Sequence, residues 1–294
     1  MKYIFLAVTV LFIAGQTILN KQFSKKKPTT SSTLLFQAMC STSIALFFLI
    51  ASGGRFIWHF PTFLFGLLFC CCFETVVFSK LLAISNGPMS LTSLISSFSL
   101  ILPAFYGILI LHEKVSGWLI VGLLLLLISL VLINYSGKSQ QKPKLKWIIF
   151  VLLVFLSDGF CAIIQKTHQM VFPGQYANEL MFTVGVCASI VNWSIYAVSH
   201  FTGTKNVPHN KASFATGKFA IFYGFPYGLL IAAVNLLVII TSRSLPASLM
   251  FPMISAGGIV LSILASLIIY REKLSKTQWI GCLLGILAVI ALNI

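Results

Sequence analysis

The sequence predicts an all-α integral membrane protein, with ten transmembrane helices arranged as two inverted five-helix repeats. Three observations carry that expectation. Of 294 residues, 58% are hydrophobic and only 9% charged, whereas a soluble domain has about 25% charged residues. Ten apolar runs approach the roughly 20 residues that a helix needs to cross a bilayer. A signature also returns. Glu113, Lys114, Val115 and Ser116, with Gly122 following, come back as Glu272, Lys273, Leu274 and Ser275 with Gly281, an offset of 272 − 113 = 159; Ser96 returns as Ser255 at the same offset. A repeat of this kind sets the architecture before any single element does.

In order, the runs span residues 3–20, 34–52, 60–82, 89–111, 117–135, 147–165, 180–200, 219–241, 247–270 and 278–294. Lys2 gives the first run the opening of a secretion signal. No small-residue cleavage site follows and the run ends in Lys21, Lys25, Lys26 and Lys27, so a retained helix is expected. The polar, lysine-rich stretch 138–146, with Pro143, separates a first repeat over 1–137 from a second over 147–294. Five spans per repeat is an odd number, so the second copy starts on the opposite side of the membrane from the first. Glu113 and Glu272 are then expected to face opposite compartments. Their acids stand at helix ends with Glu179, where water and headgroups can solvate them. Pro103 in the fourth run and Pro246, Pro252, Gly257 and Gly258 around the ninth are expected to break or loosen those helices.

The formal charge of +15 is carried in short gaps between apolar runs rather than on a polar face, which excludes a nucleic-acid binder. Lys and Arg there read as topology signals and as contacts with anionic lipid headgroups. Of the 20 basic residues, 15 lie after odd-numbered runs and 5, among them Lys166 and Arg243, on the other side. Positive-inside logic puts the richer side in the cytoplasm and both termini outside. Trp58, Trp118, Trp147 and Trp279 near run ends fit an aromatic belt, while Trp193, in mid-run, either lines a cavity or packs between helices.

Seven cysteines, Cys70, Cys71 and Cys72 among them, sit in apolar segments as buried thiols. His59, His112, His168, His200 and His209 fall in or beside loops and are expected at the solvated surface. No phosphate loop, nucleophile motif or metal spacing exists, so no enzyme, cofactor or metal is expected.

Two acids remain. Glu74 lies inside the third run and Asp158 inside the sixth, where an ionisable group costs about 2.5 to 3.5 kcal/mol. Such a group faces a water-filled cavity or a partner, binding a cation or holding and releasing a proton; an internal strut or a pair with Lys80 is the structural alternative. Polar stripes extend from these points at helical spacing. Thr9, Gln16 and Asn20 share a face of the first run, and Asp158, Cys161 and Gln165 one of the sixth. Tyr223, Tyr227 and Asn235 lie along the eighth, and the fourth carries Ser93, Ser96 and Ser97, hydroxyls that can equally serve as interhelical glue.

Two five-helix halves, each closing with a Glu-Lys-x-Ser turn and a glycine-opened last helix, resemble the EamA-type branch of the drug/metabolite transporter superfamily. The resemblance implies a ten-helix secondary carrier with a central cavity for a small molecule, working by alternating access. That cavity is implied to be lined by helices 1, 3, 4, 6, 8 and 9, which bear the stripes above. Two features depart from it. Small multidrug pumps carry a glutamate in the first helix where this chain has Gln16 and Asn20, and family members hold both termini in the cytoplasm, against the charge count. The leading expectation is a plasma-membrane carrier, monomeric or homodimeric, for a small polar metabolite of amino-acid, nucleoside or vitamin type. Glu74 and Asp158 are the expected coupling sites, and Gln16, Asn20, Ser96, Gln165, Tyr223, Tyr227 and Asn235 the further substrate ligands. An exporter of aromatic cations, suggested by 26 phenylalanines, and a non-transporting scaffold are the competing expectations.

Overall fold

The structure, a computed structural model, describes residues 2–26, 28–87, 89–99, 101–134, 145–202, 211–270 and 275–292. Glu272 and residues 138–144 of the basic stretch lie outside these. The described chain forms helices α1 (Lys2–Lys25), α2 (Thr30–Ala51), α3 (Phe60–Asn86), α4 (Met89–Phe98), α5 (Ile101–Leu109), α6 (Gly117–Asn134), α7 (Leu145–Val171), α8 (Ala177–Thr202), α9 (Lys211–Ser242), α10 (Ala247–Tyr270) and α11 (Lys276–Leu292). Seven of them, α1, α2, α3, α7, α8, α9 and α10, contain stretches long and apolar enough to cross a membrane. Shorter apolar helical stretches cover Leu94–Leu109, Gly117–Ile133 and Lys276–Leu292. Ile120, Leu124, Ile128 and Val131 stand exposed on α6, as do Leu283, Leu287 and Ile290 on α11. Apolar side chains left outside a packed core at helical spacing are what a lipid solvent requires.

The run at 89–111 is not one helix but two, parted at Ser99. Pro103 explains the break: a proline ring clashes with the carbonyl four residues earlier, which is that of Ser99. Pro103 itself is tolerated in the first turn of α5, where its missing N–H would have no helical partner. The expected loosening of the ninth run is not seen, because α10 continues through Pro252, Gly257 and Gly258. Pro246 lies just ahead of that helix.

The chain forms two compact units, each drawing on both sequence halves. One comprises Met1–Leu11, Cys71–Pro173 and Ile239–Ile294, the other Phe12–Cys70 and Gly174–Val238. In the first unit α6 packs along α11. A Cβ on Gly122 would lie 2.7 Å from Leu292 Cγ, and one on Gly281 2.8 Å from Ile133 Cγ1. The two contacts exchange under the repeat offset, since 281 − 122 = 159 and 292 − 133 = 159. Ser129 Oγ donates to the Gly281 carbonyl at 2.6 Å across the same seam. Small residues let backbones approach in this way, so packing and interhelical hydrogen bonds can hold helices together where lipid supplies no hydrophobic force.

In the second unit α2 and α8 form the main helix pair. Gly185 meets the backbone of Ala45, its would-be Cβ 2.6 Å from that nitrogen. Trp193 Nε1 donates to Thr42 Oγ1 at 2.9 Å, so the mid-helix tryptophan joins α8 to α2. Trp58, Trp118 and Trp279 are exposed, as belt residues should be. Trp147 is not. It is 7% exposed, donates to Thr92 Oγ1 at 2.9 Å and packs against Gly87, because its indole can satisfy its N–H inside the first unit.

Candidate functional site

The first unit brings Asp158 of α7 onto the break between α4 and α5. Gly159 makes this approach possible, since a side chain there would meet Leu102 and the Ser99 carbonyl. Ser99, fully buried, donates its hydroxyl to Asp158 Oδ2. The same hydroxyl also lies 2.7 Å from the Ser96 carbonyl oxygen. It has one proton for two acceptors, so its choice follows the charge on the acid. With Asp158 ionised, Ser99 donates to it. With Asp158 protonated, the acid can donate to Ser99 and Ser99 to Ser96, so the Asp158–Ser99 contact persists in either state. Lys80 is the cationic side chain whose field reaches Asp158. Along α7, Cys161 and Gln165 are buried on the expected face, and Cys161 hydrogen-bonds Cys72 of α3. Glu74, also on α3, is buried in the same unit, 7% exposed. This unit therefore holds four of the expected residues, Glu74, Ser96, Asp158 and Gln165, with Asp158 against the Ser96–Ser99 break.

The second unit holds the other five. Gln16 is half-buried and Asn20 exposed. Tyr223 and Tyr227 pack against the cluster of Phe23, Phe36 and Ala220, Tyr227 tilted on Phe36 with ring centroids 5.2 Å apart. Asn235 Nδ2 donates to the Ile231 carbonyl of its own helix at 2.9 Å.

A second constellation escaped the sequence reading. Glu113 is not a solvated end residue. His112, at φ 51, turns the chain so that the Glu113 N–H donates to the Gly107 carbonyl at 3.0 Å. The carboxylate then closes on the start of α10. Ala247 N–H donates to Oε1 at 2.7 Å, and Ser248 donates to Oε2 from its N–H at 2.8 Å and its hydroxyl at 2.6 Å. These are amide donors that a helix start leaves without internal partners, at the positive end of the dipole. Lys166, 7% exposed, treats the preceding helix in the opposite sense. Its ammonium donates to the carbonyls of Ser242, the last residue of α9, at 2.9 Å and of Leu245 at 2.8 Å, where the dipole favours a cation. Lys166 Nζ is 4.0 Å from Glu113 Oε1, so the pair grips the α9–α10 turn from both ends.

Lys166 and Arg243 are therefore not loop charges reporting topology. Arg243 Nε donates to Gln169 Oε1 at 3.0 Å, and Gln169 Nε2 lies 3.0 Å from His168 Nδ1. His168, expected at the surface, is fully buried, because α7 runs six residues past the predicted end of the sixth span, to Val171. A sequence signal for the clasp existed: Pro246, Ala247, Ser248 and Leu249 echo Pro88, Met89, Ser90 and Leu91. Among the described residues no group of three His, Cys, Asp or Glu side chains gathers as a metal site.

Comparison with known proteins places the chain. No curated protein matches it in sequence. One crystal structure covers 98% of this chain and 98% of its own at a TM-score of 0.67 with 14% identity, which shows a shared fold. Residues 1–135 match the EamA-like transporter family, which belongs to the drug/metabolite transporter superfamily, a group of carriers rather than enzymes; the resemblance read from the glutamate-turn-glycine signature is borne out over that segment, and with seven helices long and apolar enough to cross a membrane the chain is an integral, multi-pass membrane protein.

Proposed function

We propose that the protein is a secondary carrier built as an inverted ten-helix repeat, moving a small polar metabolite of amino-acid, nucleoside or vitamin type by alternating access with proton coupling at Asp158. The carrying observation is the hydrogen-bond chain from Asp158 through Ser99 to Ser96 at the α4–α5 break. An acid that keeps its hydrogen bond to Ser99 in both protonation states exchanges its proton with little rearrangement, and here it does so against irregular backbone. Broken helices in membranes occur where backbone lines a cavity or is buried in protein, and discontinuous helices commonly form transporter sites. The reciprocal glycine contacts of α6 and α11 support the repeat, and the polar side chain of Gln165, on the same helical face as Asp158, offers the solute a hydrogen-bond partner within the same unit. Glu74 is the second coupling candidate.

Reconstitution into proteoliposomes tests this. Accumulation of a metabolite pool should depend on an imposed pH gradient. Asp158→Asn should abolish that dependence while leaving downhill exchange measurable, and Glu74→Gln should weaken it. Undiminished gradient-driven uptake in both variants would remove the coupling role.

A further inference from the structure

The second unit contains a cavity of about 290 Å³ whose lining includes Phe56, Trp58, Phe63, Phe182 and Glu179. The sequence reading gave it no role. Its shape follows from one sharp turn. After α2, Gly53 and Gly54 adopt φ of 62 and 74, a left-handed conformation that glycine takes without steric cost, and their N–H groups donate back to Ile50 and Leu49 at 2.9 and 3.0 Å. The segment leading to α3 is thereby folded over the start of α8. Ile57 N–H donates to Glu179 Oε1 at 3.4 Å. His59 stacks on Tyr176 with centroids 4.3 Å apart and planes 6° from parallel, its Nδ1 lying 2.9 Å from Thr62 Oγ1.

The rings form the walls. Phe56 stacks on Phe182 at 4.2 Å and Trp58 lies 5.0 Å from Phe63. Glu179 supplies the charge, and no Lys or Arg among the described residues forms an ion pair with it. Its position in the first turn of α8 suits the helix dipole, but the dipole does not account for four aromatic rings around a carboxylate. Those rings decide the ligand class. An anion is repelled, and a neutral polar solute finds few hydrogen-bond partners. A hard metal ion needs six or more oxygens, whereas aromatic faces beside an acid attract a weakly hydrated organic cation.

We propose that this pocket binds an alkylated ammonium group, as a site separate from Asp158 and independent of what the carrier moves. Cys187 lines the cavity and reports its occupancy. The test uses the full chain in phosphatidylglycerol nanodiscs, following N-ethylmaleimide labelling of Cys187 by peptide mass spectrometry, with a free cysteine peptide in the same sample as reference. Choline should slow Cys187 labelling at least fivefold without affecting the reference peptide, while its uncharged isostere 3,3-dimethylbutan-1-ol should not. Glu179→Gln keeps the acceptor for Ile57 and should remove the protection, whereas Phe182→Leu should weaken it; size-exclusion profiles check that both remain folded. Asp158→Asn should leave the protection intact, so the two readings fail separately.

Protection that arises on changing to phosphatidylcholine nanodiscs assigns the ammonium to a lipid headgroup, and protection by free choline assigns it to a solute. Equilibrium binding of radiolabelled choline to wild type and Glu179→Gln gives a second readout that does not depend on thiol reactivity. Equal protection by the alcohol, undiminished protection in Glu179→Gln, or no protection from either source overturns the proposal.

Discussion

Gly122 of α6 seats Leu292 of α11 directly over its Cα. The same relationship, shifted by one repeat, joins Gly281 to Ile133. The two glycines of the duplicated signature are therefore contact points rather than helix openers. Each exists to admit a side chain of the other copy.

Gly122→Ala and Gly281→Ala should each lower stability by about 1–3 kcal/mol, the usual cost of forcing a methyl group into a filled interface. Thermal unfolding in detergent, followed by tryptophan fluorescence, measures it. The double variant should cost less than the sum, because once the helices separate at one end the second methyl meets less resistance. Strict additivity would mean that the two contacts do not share the α6–α11 seam.

Removing the Glu113 charge should be more damaging. In Glu113→Gln an amide NH₂ faces the N–H groups of Ala247 or Ser248, donor against donor, and Lys166 loses the anion beside it. Breaking one partner of a buried charged pair costs about 3–5 kcal/mol. The expected result is a large drop in the thermal midpoint, partly recovered by adding Lys166→Met, which removes the unbalanced ammonium. A double variant as unstable as the sum of the singles would show that the two residues act independently.

Gly107 admits the same carboxylate. A Cβ there would collide with Glu113 Oε2 and come within 3.0 Å of Ser248 N. Gly107→Ala should therefore reproduce most of the Glu113→Gln loss in the same unfolding assay without altering any charge.

Ser99→Ala removes the one hydroxyl that serves both protonation states of Asp158. On the proposed coupling, gradient-driven transport should fall about tenfold, equivalent to losing a hydrogen bond to a charged group worth about 1.5 kcal/mol. Ser99→Thr, which keeps the hydroxyl, should restore most of it. Equal loss in both variants would point to packing at the helix break instead.

Composition and the repeat made the helical membrane architecture legible, and the cost of burying charge singled out Asp158 and Glu74. The break at Ser99 could be located only in part. Pro103 advertised a disturbance, but the i−4 clash and the acid on α7 meet only in three dimensions. Glu113 was misjudged for a related reason. Its donors lie 134 and 135 residues away along the chain, so helix-end position suggested solvent where tertiary contact supplies amides. Lys166 and Trp147 were misplaced because their partners lie on other parts of the fold, and a hydropathy window does not see partners; His168 was misplaced because α7 runs on to Val171.

The Glu113 clasp also imposes an order on biogenesis. Its acid leaves the ribosome well before Ala247 and Ser248, so until α10 is made the carboxylate at the end of α5 has no amides to close on. The nascent first half must wait in the membrane with that carboxylate still hydrated, and the Lys166 ammonium waits likewise once α7 is made. Completion of α10 is then the step that withdraws both charges from water, which makes late assembly, rather than insertion of the early helices, the stage at which truncated or stalled chains should be recognised as unfinished.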